Sequence, residues 1–318
     1  MPGSSALRIG TRASVLARTQ TGHVADALRS LGHAVTIEAI STRGDVATDV
    51  PIAGIGGGDG VFVRELERAL LDGRIDAAVH SLKDLPTVVP DGLVLASVPR
   101  RATPFDAFVG RSAPTLAGLP AGAVVGTSSV RRVMQLAVLR PDVAVQALRG
   151  NVDSRIARLD SGAFDGVILA AAGLERLGLA GRISEVLRPE RFWPAIGQGA
   201  LVIQTRADDA VSRAVVATLD DPPTHAAVRA ERACLAGLSG GCLAPVGAWA
   251  REVDGRLSLG ACVLGPRGEG VERIVTSVSA AAGEPPEEVG GRAATALLAL
   301  GAEVLLAAAR ARDRRGLH

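Results

Sequence analysis

Residues 75–90 read IDAAVHSLKDLPTVVP, and the punctuation of this stretch decides how the chain folds. Gly73 stands before the apolar run 75–79 and Pro86 stands after it. A short apolar run closed by breakers is the pattern of a buried strand. His80, Ser81, Lys83 and Asp84 follow at once, which puts four polar side chains at the carboxyl end of that strand. In open α/β sheets, ligands sit outside the carboxyl ends of strands. Lys83 is the only lysine of the chain, so its 35 basic residues are 34 arginines and this one. Two readings fit a lone lysine beside an aspartate: a solvated loop position, or a place where a compact ammonium is wanted rather than a planar guanidinium.

Working outward, the spacing predicts a strand at 7–10, a helix over 13–31 stopped by Gly32, and a second strand at 34–41. A glycine-rich loop, AGIGGGDG at 53–60, leads to a helix over 61–71. It has neither the G-x-G-x-x-G spacing nor a Walker ending, so it implies no nucleotide. After the stretch quoted above comes a strand at 93–98. A second unit follows Pro99-Arg100-Arg101: a strand at 124–126 runs into Thr127-Ser128-Ser129 and a helix to 139. Then come a strand at 143–148 ending in Arg149-Gly150-Asn151, a helix carrying Arg155 and Arg158, and a strand at 167–170.

These stretches are weak copies of one plan. Ile9-Gly10-Thr11-Arg12 parallels Val125-Gly126-Thr127-Ser128, and LLDGRIDAAVHS (70–81) parallels LDSGAFDGVILA (159–170), with Gly73 on Gly162 and Asp76 on Asp165. Matching βα units predict two doubly wound α/β domains with a cleft between them. Only the first copy carries Lys83 and Asp84; the second has Ala172 and Gly173 there. From Asp220-Asp221-Pro222-Pro223 the pattern changes to a helix over 224–235, strands at 244–250, 257–264 and 271–278, and one long Ala/Leu-rich helix over 286–309. That order predicts a small α+β domain, with the Pro-Pro pair as its linker.

With 318 residues, 47% of them hydrophobic, and a net charge of +2, the chain is long and apolar enough for a sizeable core. Aromatics make up 2% and there is no tyrosine. Interspersed basic residues and scarce stacking side chains argue against a nucleic-acid partner. Arg8 and Arg12 interrupt the first residues, so no secretory h-region is expected. Arg292 and Glu303 break the longest C-terminal apolar stretch, so no membrane span is expected. Arg310, Arg312, Arg314 and Arg315 read as a solvated tail. Three cysteines make no disulfide framework, and a cytoplasmic protein is the expectation.

Arginine placement is the second signal. Helix first turns favour acids, yet Arg12, Arg131 and Arg132 lie at or near helix starts beside Thr11, Ser14, Thr127, Ser128 and Ser129. Arg149 ends a strand and Arg155 begins a helix. Gathered at strand ends, such cations would repel one another until a polyanion bound them. Cys242, in LSGGCLAPVG, is open to two roles from spacing alone: a buried structural thiol, or a point of covalent attachment on a glycine loop. Cys234 and Cys262, in apolar patterns, read as structural, and a lone His80 reads as a hydrogen-bonded structural residue. An enzyme and a binding protein for a small anion both fit at this point.

Five motifs then add a resemblance. HSLKDLP (80–86), GTSSVRR (126–132), LRGNVDSR (148–155), IGQGAL (196–201) and GGCLAPVG (240–247) resemble, in order and spacing, those of the porphobilinogen deaminase (hydroxymethylbilane synthase) family. The resemblance implies a linear tetrapyrrole built from four porphobilinogens with loss of ammonia at each step. It implies a dipyrromethane cofactor held by a thioether to Cys242, and Asp84 as the catalytic carboxylate. Each pyrrole carries an acetate and a propionate, so the implied binding set is Arg12, Ser14, Ser81, Lys83, Thr127, Ser128, Ser129, Arg131, Arg132, Arg149, Gly150, Arg155, Arg176, Gln198 and Gly199, with no metal. An ordinary carboxylic acid is ionised at neutral pH, so the implied carboxylate relays the substrate's own proton. The implied domains are 1–99 with 197–218, 100–196, and 222–318 with the cofactor cysteine. A monomer without nucleic-acid or membrane partners is expected. One departure stands out: the family often has lysines in the glycine-rich loop, where residues 54–60 have none and carry Asp59.

Overall fold

The computed structural model describes residues 6–40, 63–239 and 244–314. The glycine-rich loop 54–60 and Cys242 lie outside the described residues. The chain divides into two compact units, residues 1–102 with 200–225, and residues 103–199 with 226–318. In chain order the first stretch is β1 (Leu7–Arg12), α1 (Val15–Ser30), β2 (Val35–Ile40), α2 (Arg64–Leu71), β3 (Ala77–Ser81) and β4 (Leu93–Ser97). The second is β5 (Asp106–Gly110), β6 (Val124–Gly126), α3 (Val130–Leu139), β7 (Ala144–Gln146), α4 (Val152–Asp160), β8 (Gly166–Ala170), α5 (Ala171–Arg176) and β9 (Glu185–Leu187). The third is β10 (Leu201–Arg206), α6 (Ala210–Ala217), α7 (Pro222–Gly237), β11 (Val246–Val253), β12 (Arg256–Arg267), β13 (Gly270–Ser279), α8 (Pro286–Ala299) and α9 (Ala302–Arg314).

In the first unit a five-stranded sheet runs β2-β1-β3-β10-β4. β1, β2 and β3 are parallel, and β10 is antiparallel to both its neighbours. Side chains alternate across a strand, so Ala77 and Val79 join Ile9, Val24, Leu28 and Ile203 on the α1 face. Ala78 packs with Leu66, Leu70 and Ile75 on the other. A sheet covered on both faces reads as a nearly continuous apolar run, which is why 75–79 stands out. The strand itself lies at Ala77–Ser81, two residues later than the breakers suggest. His80 is buried within it because a partner awaits its ring, described below.

The second unit holds a sheet of the same layout, β7-β6-β8-β5-β9, with β6, β7 and β8 parallel and β5 antiparallel to its neighbours. The internal repeat has a physical basis in matched residues. Asp76 accepts the backbone N–H of Arg8 at 2.9 Å and its guanidinium at 2.7 Å. Asp165 likewise accepts the N–H of Val124 at 2.9 Å and the Arg111 guanidinium at 2.9 Å. Each aspartate thus pins the start of its sheet's parallel strand. Gly10 and Gly126 occupy equivalent places, and a Cβ there would stand 2.4 Å from Ile75 and 2.9 Å from Phe164.

The same unit carries an antiparallel sheet, β11-β12-β13, whose core joins Ala230, Cys234, Leu259, Ala293, Leu297 and Leu305. Pro222 and Pro223 are not a linker. They open α7, where a missing N–H costs nothing, and Asp221 accepts the N–H of Thr224 at 3.0 Å. The predicted 286–309 helix is two: Gly301, at φ +92°, breaks it, and the halves meet at 82°. No single helix among the described residues is long and apolar enough to cross a membrane. Nor is the basic end simply a solvated tail, since α9 runs to Arg314 and Arg310 donates to the Ser239 carbonyl at 2.6 Å.

Candidate active site

In the first unit the candidate residues collect at the carboxyl ends of the neighbouring parallel strands β1 and β3. Arg12 ends β1. Ser14 caps α1, its hydroxyl accepting from the Ala17 N–H at 3.3 Å. Ser81 ends β3 and donates to the Gln20 side chain of α1 at 3.1 Å. The chain then makes a single 3-10 turn, Leu82–Asp84. The Leu82 N–H donates to the Ala200 carbonyl and the Leu85 N–H to the Leu82 carbonyl, each at 3.1 Å. The turn is tied at both ends, and Lys83 and Asp84 stand half-buried on it.

Behind the turn runs a buried polar chain. The His80 Nε2 lies 3.0 Å from the Gln204 Oε1, and the Gln204 amide donates to the Glu67 carboxylate at 3.2 Å. Burial, reinforced by the Arg12 charge, pushes His80 down to about 4, while burial pushes Glu67 up. His80 is therefore a neutral imidazole at pH 7, donating Nε2–H to Gln204. It holds the strand and is not poised as a base.

In the second unit the residues gather around Asp106, the first residue of β5 and fully buried. Its carboxylate takes Arg131 at 2.7 Å, Arg132 at 2.7 and 3.0 Å, and the Gln198 amide at 3.2 Å. Arg131 also donates to the Trp193 carbonyl, Arg132 to Ile168 O at 2.7 Å, and Gln198 to Pro104 O at 2.8 Å. Burial alone would raise the Asp106 carboxyl, but the two guanidiniums win and hold it at about 2.

The other candidates surround two helix starts. The Thr127 hydroxyl accepts from the Ser129 N–H at 3.3 Å, and Ser128 donates to Leu148 O at 3.0 Å. Neither the α3 nor the α4 N-terminus is capped by its own N-cap side chain. Arg155 Nε donates to the carbonyl of Gly150, whose φ of +103° suits only glycine, at 2.8 Å. Arg149 is exposed. Arg176 donates to the Gly199 carbonyl at 2.7 Å, and burial pushes its pKa down.

One expectation fails here. Arg131 and Arg132 are not bare cations awaiting an anion, because Asp106 pairs with both and offsets one of their two charges. Sequence reasoning missed Asp106, Gln20 and Gln204. The available signal was an acid opening the apolar run DAFVG, 106–110. Cys234 and Cys262 are buried free thiols, pushed up to about 12 chiefly by burial, and so inert. Among the described residues no group of three or more His, Cys, Asp or Glu could hold a metal ion.

In the first unit an ammonium, a guanidinium and hydroxyls, and in the second guanidiniums, hydroxyls and uncapped helix starts, are donors suited to carboxylates. The family model described as "Porphobilinogen deaminase, dipyromethane cofactor binding domain" matches residues 7–214, and "Porphobilinogen deaminase, C-terminal domain" matches 225–299. Porphobilinogen deaminase of Roseiflexus sp. is 49% identical over 304 residues, covering 95% of this chain and 98% of its own. That of Syntrophobacter fumaroxidans is 48% identical over 265 residues, 83% of this chain and 85% of its own. Among solved structures, a nutrient binding protein from Burkholderia cenocepacia aligns at a TM-score of 0.41 with 14% identity, over 69% of this chain and 93% of its own. The chain belongs to the porphobilinogen deaminase family.

Proposed function

We propose that this chain condenses four porphobilinogens head to tail to hydroxymethylbilane, with Asp84 as the catalytic carboxylate and Cys242 as the anchor of the dipyrromethane. Tetrapyrrole biosynthesis by porphobilinogen condensation, and a domain that binds the dipyrromethane cofactor, follow from family membership itself. The residue roles rest on the motifs and on the geometry around them. The observation that carries them is the tied turn at the carboxyl end of β3, which fixes an ammonium and a carboxylate side by side in a half-buried place.

Asp84 accepts a hydrogen bond from the substrate's ammonium, which keeps its three protons and takes the bonding pair as the C–N bond breaks and ammonia leaves. The carboxylate then faces the cationic carbon left behind and stabilises it. It finally takes onto its own oxygen the proton released when the new C–C bond is made and aromaticity returns. When bound, the dipyrromethane supplies the nucleophilic ring carbon. Thr127, Ser128, Ser129, Arg131, Arg132, Arg149, Gly150, Arg155, Arg176, Gln198 and Gly199 hold acetate and propionate groups from the second unit. Arg12, Ser14, Ser81 and Lys83 do so from the first. Asp106 already holds Arg131 and Arg132 in place.

Functionally we divide the chain into 1–99 with 197–218, 100–196, and 222–318, the last bearing Cys242. The enzyme works as a cytoplasmic monomer on a small-molecule substrate. The test is the intact mass of the purified protein. It should exceed the 32.4 kDa of the sequence by one dipyrrole, and Cys242→Ser should lack the increment. An unmodified wild-type mass with tight binding of a simple anion, or an increment that persists in Cys242→Ser, overturns the assignment.

A further inference from the structure

A cavity of about 160 Å³ opens in the second unit between the start of α3, the residues of and after β7, and the last turns of α9. Val130, Val133 and Met134 line it from one face of α3, and Ala309 lines it from α9. Arg149 and Arg312 line it as well, with the hydroxyl residue Thr127. The space is close to the roughly 150 Å³ of an engineered apolar cavity that takes one benzene. Its inner part has room for a single ring, and it opens to solvent. A pocket with an apolar wall and cationic residues in its lining suits a ligand that has both features.

We propose that this cavity binds a small apolar monocarboxylate, an aromatic or branched aliphatic acid, with its body against α3 and Ala309 and its carboxylate on Arg149 and Arg312. Val133, Met134, Ala309 and Arg312 have no part in the proposed reaction. Thr127, Ser128 and Arg149 do, so an occupant that draws the Arg149 guanidinium toward α9 raises the KM for porphobilinogen. The binding claim rests on the cavity alone; the KM claim also rests on the proposed function.

Calorimetric titration of the full-length holoenzyme with benzoate, and with benzyl alcohol as its uncharged counterpart, tests the assignment. Benzoate should bind about tenfold more tightly than benzyl alcohol, as expected for a charge-assisted contact. Arg312→Gln should weaken benzoate by about tenfold and leave benzyl alcohol within about twofold. Ala309→Leu, which fills the wall, should weaken both probes. Both variants should turn over porphobilinogen normally when benzoate is absent, which shows that they are folded. No benzoate binding by the wild type, equal binding of the two probes, or binding unchanged in both variants overturns the proposal. Absence of porphobilinogen turnover in the wild type would instead overturn the proposed function, and the benzoate titrations would still decide the cavity.

Discussion

Asp106→Asn is the substitution with the largest expected effect away from the reacting atoms. Both oxygens of the buried carboxylate are taken by Arg131, Arg132 and Gln198. The replacement keeps the shape, removes the charge, and turns an amide N–H toward guanidiniums. Removing one partner of a buried ion pair costs about 3–5 kcal/mol, because the other charge stays behind. The acid titration supplies a second figure. Burial raises the carboxyl and the two arginines lower it further, from 3.8 to about 2. At about 1.36 kcal/mol per pH unit, that gap of roughly two units is worth about 2–3 kcal/mol. The folded value is the depressed one, so this contribution is complete above about pH 4 and is lost as the pH falls from 3.8 toward 2. Urea unfolding should therefore find the variant about 3 kcal/mol less stable at pH 7. Between pH 4 and 2 its stability should fall by ~2 kcal/mol less than the wild type's. Trp193, whose carbonyl Arg131 holds, gives a fluorescence signal from the same place. Stability within about 1 kcal/mol of wild type, with an unchanged acid slope, would refute the claim that Asp106 anchors the arginine pair.

Other outcomes follow from the same geometry. Asp84→Asn should keep the dipyrrole mass increment while turnover falls about 10²–10⁴-fold; near-normal turnover sinks the catalytic assignment. Iodoacetamide at pH 8 should add nothing to the native holoenzyme, because burial holds Cys234 and Cys262 at about 12 and the proposed thioether would occupy Cys242. The unfolded holoenzyme should take up two alkyl groups by mass, and two taken up by the native protein would contradict the burial of these thiols. Gly290→Ala puts a Cβ 2.3 Å from the Ala230 carbonyl, where α7 and α8 touch at backbone level. It should cost about 1–3 kcal/mol. Its neighbour Gly291 has open space around it, so Gly291→Ala should stabilise by about 0.5–1 kcal/mol. Equal effects in thermal melts would mean that the helices do not pack as described.

The repeat was legible because both halves need the same residues for the same mechanical reasons. Gly10 and Gly126 sit where a Cβ has no room, and Asp76 and Asp165 pin a strand start and an arginine. What escaped the sequence was pairing across sheets. Asp106 lies 25 residues from Arg131 and Gln204 lies 124 from His80, and such separations leave no periodic mark. Hence the two arginines read as lone cations, and His80 read as the end of a strand rather than part of it. The return of β10 to pair with β3 and β4 was equally invisible to local pattern, and only the resemblance suggested it. Two local signals misled. The Pro222-Pro223 pair reads as a linker but starts a helix just as well, and Gly301 hides in an Ala/Leu run that stays apolar through the break.

The turn that presents Asp84 has an analytical consequence. Lys83 carries the chain's only ε-amine, so an acylating reagent has a single side-chain target, besides the α-amino group, and it adjoins the carboxylate proposed as catalytic. An endoproteinase specific for lysine has a single bond to cut, between Lys83 and Asp84. Footprinting that one amine with isotopic acyl tags, with and without porphobilinogen, would report occupancy of the catalytic turn without any engineered label.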